Sequence, residues 1–167
     1  MAKLTSEQRQ RARRRAVNAA LLAYRNRSRV HYTQGSRRWR GIDARRNAAQ
    51  GEFPAYADCS AFTTWCLWNG LHLGYNKPDV VNGYRWRAGF TGTQIRHGRR
   101  ITVGEMMEGD LVFYATYGYI PTHVAICVGR RYGRAYVISH GNESGPLFLP
   151  YSYRRLIQVR RYIHDGV

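Results

Sequence analysis

Hydrophobic positions recur in two regimes along the chain, helical in its first half and strand-like in its second. Between Thr5 and Asn26, Ala12, Ala16, Ala19, Ala20, Leu22 and Ala23 make an apolar stripe among arginines. There is no proline, and Thr5 or Ser6 can cap, so a helix is predicted with one face docked and the arginine face in solvent. Asp58 to Gly70, DCSAFTTWCLWNG, is apolar almost all round. With Asp58 as N-cap and Asn69-Gly70 as a stop, it predicts a buried helix. From Asp110 onward the runs DLVFYA, THVAICVG, RAYVISH and RRLIQVRRYI are continuous or alternating and are parted by Gly, Pro and Ser. They predict four strands of an antiparallel sheet. Ser28 to Ala57 reads as a short extended piece followed by loop. Residues 71 to 108 are turn-rich, with one helical possibility at Asp79 to Arg87.

The fold class expected is therefore α+β, helices first, in one domain over residues 1–167. Residues 1–28 read as a basic helical extension and 29–167 as the core. No internal repeat or long linker divides them. The apolar runs stay well short of the ~20 residues that span a bilayer, and the patch from Ala16 to Ala23 is too short for a secretory signal.

Charge adds a partner class. Lys and Arg total 27 against 10 Asp and Glu, a formal +17, and only Lys3 and Lys77 are lysine. Residues 1–50 hold 14 basic and 2 acidic side chains. Such a balance attracts nucleic acid, an anionic membrane or an anionic wall polymer, and places the contact on the N-terminal third. Three cysteines, an odd number in a chain long enough to fold without staples, argue against a disulfide framework.

Cys59 is the candidate nucleophile. A thiol in the first turn of a helix meets unsatisfied amides and the positive helix end, which favour the thiolate. Cys66 lies two turns further on, too far to pair with it, and Cys127 sits in an apolar strand. A base is needed, and histidine titrates in the right range. His123 opens one strand and His140 ends the next, so an antiparallel pairing brings both to one sheet edge. Alternation puts His123, Ala125 and Cys127 on one face, expected to lie against the Cys59 helix. Nucleophile, base and orienting group would then form a generalised triad.

DCS at 58–60, GDLVFY at 109–114, HVAICVG at 123–129 and the late His140 resemble the NlpC family of papain-like cysteine peptidases, which hydrolyse bacterial peptidoglycan. More closely, HYTQG, RWRGI, ADCSAFTTW, VVNGYRW, GFTGT, HGRR and SHGNESGP look like the N-terminal peptidase domain of endolysins from phages of actinobacteria. The resemblance covers residues 30–148. It implies a papain-like catalytic helix packed on an antiparallel sheet, with Cys59 as nucleophile, His123 as base and His140 as the third polar residue. Asp58, Ser60 and Tyr32 match positions lining the substrate cleft. Ala61 stands for the usual glycine after DCS. Gly141 replaces the usual alanine after the last histidine, which leaves Asn142 and Glu143 beside His140 for the third role.

The reaction implied is amide hydrolysis in the stem peptide through a thioacyl enzyme, with no metal and no cofactor. The bond cleaved is open. The partner implied is bacterial peptidoglycan, with contact to an anionic wall polymer or membrane through the arginine-rich N-terminus, only non-specific attraction to nucleic acid, and a monomer by default. A phage lysin made in the host cytoplasm and acting on the wall after release is the implied setting. Two other readings stand beside it: a zinc-dependent amidase with Cys59, His123 and His140 as ligands, and a nucleic-acid-binding basic module resting on the arginine-rich start. The first lacks paired-ligand spacing, and the second lacks a reading motif.

Overall fold

The computed structural model describes residues 1–141 and 145–167. Helix α1 spans Ser6–Arg25, and its start is fixed by a reciprocal capping box between Thr5 and Gln8. It buries Ala12, Ala16, Ala19, Ala20 and Ala23 of the predicted stripe together with Val17, while Leu22 is half-buried. Helix α3, Cys59–Tyr75, is buried at every position from Cys59 to Leu71. The two helices pack closely because both present small residues. A Cβ added at Gly70 would lie 2.4 Å from the Ala12 carbonyl oxygen and 3.4 Å from the Ala16 methyl.

Gly70 is thus a site of close approach and not the expected helix stop. Helix α3 runs to Tyr75 and ends at Asn76, whose left-handed backbone (φ 51°) terminates it. Asn69 is built into the interior as well. Its Nδ2 donates to the Trp65 carbonyl at 3.0 Å and its Oδ1 accepts from Ala48 N at 2.9 Å.

The second half forms a six-stranded antiparallel sheet of order β3-β8-β4-β5-β6-β7. Strands β4 (Leu111–Tyr114), β5 (His123–Arg131), β6 (Arg134–Ser139) and β8 (Leu156–Arg161) are the four expected. Strands β3 (Arg99–Ile101) and β7 (Leu147–Pro150) add the two edges. Residues 28–57 hold more order than a loop: three 3-10 turns, the one-turn α2 (Arg40–Asp43), and a parallel pair of β1 (His31–Tyr32) with β2 (Tyr56–Ala57). The helical possibility at Asp79–Arg87 is not realised. The Asp79 carboxylate instead accepts from the N–H groups of Val81 (2.9 Å), Asn82 (3.0 Å) and Trp86 (3.0 Å), winding the chain around one side chain. The one-turn helix α4, Thr91–Gln94, follows.

Alternation sorts the sheet into two faces. Leu111, Phe113, Val124, Ile126 and Ile138 join the α1 and α3 side chains in the main core. Val112, Tyr114, Ala125, Cys127, Val137 and Val159 form a second layer on the far face, with Tyr151 and Tyr153 packed against it. The expectation that His123, Ala125 and Cys127 face the Cys59 helix is therefore reversed: Ala125 and Cys127 lie in the far-face layer, the His123 ring at the strand start packs on Tyr114 of that layer, and Val124 and Ile126 face the helix. At the start of β4 the GD pair has a structural basis. Gly109 takes φ +87°, and the Asp110 carboxylate is gripped by the Arg161 guanidinium at 2.9 and 2.8 Å.

Candidate active site

The start of α3 is fixed from several sides. Asp58, in extended backbone, caps the helix: its Oδ1 accepts from Ala61 N at 2.7 Å and from the Ser60 hydroxyl at 3.0 Å. Its Oδ2 accepts from Arg38 at 2.8 Å. The same guanidinium reaches Ser60 Oγ (3.2 Å) and the Gly89 carbonyl (2.7 Å) and stacks on Trp39. Buried Gln94 donates from Nε2 to the Ser60 carbonyl at 2.9 Å and to Thr64 Oγ1 at 3.0 Å. These contacts leave the first turn of α3 little freedom, which fixes the direction of the Cys59 side chain.

Cys59 is 7% exposed. The backbone N–H groups of Val124, Ser60 and Cys59 itself favour its thiolate. They are outweighed: burial first, and then the Asp58 charge, push the thiol up to about 11. The helix start alone led to the opposite expectation, a stabilised thiolate. The contact with Val124 N sets the sulfur one residue along the chain from His123.

His123 is 4% exposed and opens β5. Its Nε2 lies 2.8 Å from Ser139 Oγ, and that oxygen lies 2.7 Å from the Tyr153 hydroxyl. The ring packs beside Tyr114. Burial, then the nearby Arg154 and His140, push the imidazole down to about 3. Near neutral pH the two groups rest as thiol and neutral imidazole.

His140 is fully buried but serves the other face. Its Nε2 lies 3.1 Å from the Ala57 carbonyl and 3.4 Å from that of His31, and its ring packs on Phe62 and Tyr32. Carbonyl oxygens only accept, so Nε2 carries the proton. The Tyr32 hydroxyl accepts from Gln34 Nε2 at 3.0 Å. Asn142 and Glu143, the alternatives for the third role, lie outside the described residues.

A cleft of about 340 Å³ lies beside the start of β5, lined by Tyr114, Ala115, Thr116, Thr122, Arg154 and Arg155. Tyr117 and Tyr119, in the turn between β4 and β5, are exposed. Among the described residues, no group of three or more His, Cys, Asp or Glu side chains is placed to hold a metal ion. No helix there is long and apolar enough to cross a membrane.

Sequence reasoning missed Arg38, Gln94, Ser139 and Tyr153. Arg38 and Gln94 carry no local signal, because their side-chain hydrogen-bond partners are 20 or more residues away. Ser139 was findable: strict alternation along β6 separates it from His140 and sends the two to opposite faces.

No curated protein matches the chain. Residues 38–161, more than half of the sequence and including Cys59, His123 and His140, match the model of the NlpC/P60 family. The α+β architecture, a helix carrying the cysteine at its N-terminus and an antiparallel sheet carrying the histidine, agrees with the papain-like fold of that family. The chain belongs to the NlpC/P60 family, a class of cysteine peptidases and amidases that act on peptidoglycan.

Proposed function

We propose that this chain is a peptidoglycan endopeptidase that cleaves an amide bond of the stem peptide, with Cys59 as nucleophile and His123 as general base. The observation that carries the reading is the meeting of the α3 start with the β5 start: the Cys59 sulfur lies at Val124 N–H, next in the chain to His123. The ring of His123 is committed through Nε2, so the reading assigns proton transfer to Nδ1, with the ring turning at the strand start toward the thiol as substrate binds. As sulfur attacks the carbonyl, Nδ1 takes the thiol proton. The oxyanion faces the free N–H groups at the helix start, that of Cys59 first. His123 then protonates the departing amine, and water releases the acid from the thioester.

Asp58, Ser60 and Tyr32 stand at the positions assigned to substrate binding; Asp58 and Ser60 are buried and would act through their hold on Arg38 and not by direct lining of the cleft. His140 tethers the strand that leads into Cys59. The finer setting we propose is a phage endolysin or its catalytic domain, made in the host cytoplasm and released to the wall. The formal charge of +17 supports contact with an anionic wall polymer or membrane on the way.

The test is release of new amino groups from purified peptidoglycan, with mass spectrometry of the fragments to identify the bond. Cys59→Ala is expected to bring release to background while far-UV circular dichroism and thermal unfolding stay close to the parent. Parent-level release by a folded Cys59→Ala protein would overturn the reading.

A further inference from the structure

The hydrogen bond that orients a catalytic imidazole decides which nitrogen carries its proton. Around His123 the polar groups form a short chain: Nε2 to Ser139 Oγ at 2.8 Å, then Ser139 Oγ to Tyr153 OH at 2.7 Å. Ser139 is 2% exposed, so its hydroxyl oxygen is in no position to trade this partner for bulk water. His140 is committed elsewhere through Nε2, against the Ala57 and His31 carbonyls on the α3 side of the sheet. The division follows from β6 itself. Val137 belongs to the far-face layer and Ile138 to the main core. The alternation continues with Ser139 toward Tyr153 and His140 toward Phe62.

We infer that Ser139, held in turn by Tyr153, is the positioning residue that sets the orientation and tautomer of the His123 ring, and that His140 positions the Cys59 segment instead. The inference rests on the reading of His123 as the base. A base acting at Nδ1 needs its lone pair there, so the proton belongs on Nε2, which donates to Ser139 Oγ. A hydroxyl has one proton and can accept more than one hydrogen bond. Ser139 therefore accepts from His123 and shares its remaining bond with Tyr153, in either direction. The relay holds the ring through hydroxyl groups. When His123 takes the Cys59 proton, the imidazolium it becomes is met on this side by two polarisable hydroxyls, and burial together with the nearby Arg154 favours return of the proton to the leaving amine.

The test has one readout that does not need turnover. In protein labelled with 15N at histidine, with the His123 signals assigned by their loss in His123→Ala, neutral His123 is expected to be the Nε2–H tautomer. Ser139→Ala is expected to mix the two tautomers and to lower kcat about tenfold with KM little changed. Ser139→Thr, which keeps the hydroxyl, should restore both, and Tyr153→Phe should give a smaller loss in the same direction. His140→Ala should leave the His123 tautomer unchanged whatever it does to activity. A dominant Nδ1–H tautomer in the parent overturns the inference outright, even if no Ser139 variant folds. So does a folded Ser139→Ala protein with the parent's tautomer and kcat. Failure of the peptidase reading is seen separately, as activity that survives Cys59→Ala.

Discussion

The charge state of the Cys59–His123 pair has two measurable consequences. A thiol pushed up to about 11 is almost wholly protonated at neutral pH. Alkylation of Cys59 by iodoacetamide, followed by peptide mass spectrometry, should therefore be slow near pH 7 and rise about tenfold per pH unit on the alkaline side. A rate flat from about pH 6 to 9 would instead reveal a preformed thiolate. His123 acts on stability. Its native value of about 3 lies below the ordinary 6.5, so between those limits the unfolded state binds a proton that the native state refuses. The associated stability is complete above the unfolded value and is lost as pH falls toward the folded one. Urea unfolding should show a free energy that declines on acidification below about pH 6.5, with His123→Asn giving a shallower decline. Equal slopes in parent and variant would mean that His123 is not held neutral. The placement of each residue was legible in the sequence, Cys59 behind an N-cap and His123 at a strand start. Its protonation was not, because the helix start is a local feature, whereas burial depends on everything folded over it.

Helix α3 carries the proposed nucleophile, and its placement depends on α1 lying against it without a gap. Gly70→Ala would put a methyl 2.4 Å from the Ala12 carbonyl oxygen, so the helices must separate or bend. A loss of about 1–3 kcal/mol is expected in chemical denaturation, the usual cost of overpacking. Parent-like stability would show that the seam is looser than described. The beginning of α3 could be read from sequence because Asp58 announces it, while its end was misread at Asn69-Gly70. Both are common stop residues, and what overrides them is a partner more than fifty positions earlier in the chain. The same reason hid β3 and β7. Edge strands of three or four residues carry too few alternations to stand out from turns, and register with β8 and β6 fixes them. Asp79 misled in another way: an acidic residue that can start a helix here gathers a loop around its own carboxylate.

At the scale of the molecule, the arginines of the first fifty residues do not act as one group. Arg13 is half-buried and donates to the Ile163 carbonyl, and Arg11 pairs with Glu7 one turn away. Arg14, Arg25 and Arg40 are exposed, with no side-chain hydrogen bond or ion pair among the described residues. Replacing those three by Gln should weaken co-sedimentation with purified walls at low salt and flatten its fall toward physiological ionic strength, where the screening length is about 8 Å. Turnover of a small soluble stem peptide should be unaffected. Arg13→Gln should lower the melting temperature instead. Wall binding equal to the parent in the triple variant would remove these side chains from the contact. The alanine seam of α1 also bears on how this enzyme can be recombined with others. The family match begins at residue 38, beyond the whole of that helix. A chimera that borrowed only the matched segment would leave the side of α3 around Gly70 bare, a strip of backbone and apolar surface with nothing to cover it. The portable module is the helix together with the segment it shields, and grafts cut at the family boundary should be recovered as inclusion bodies.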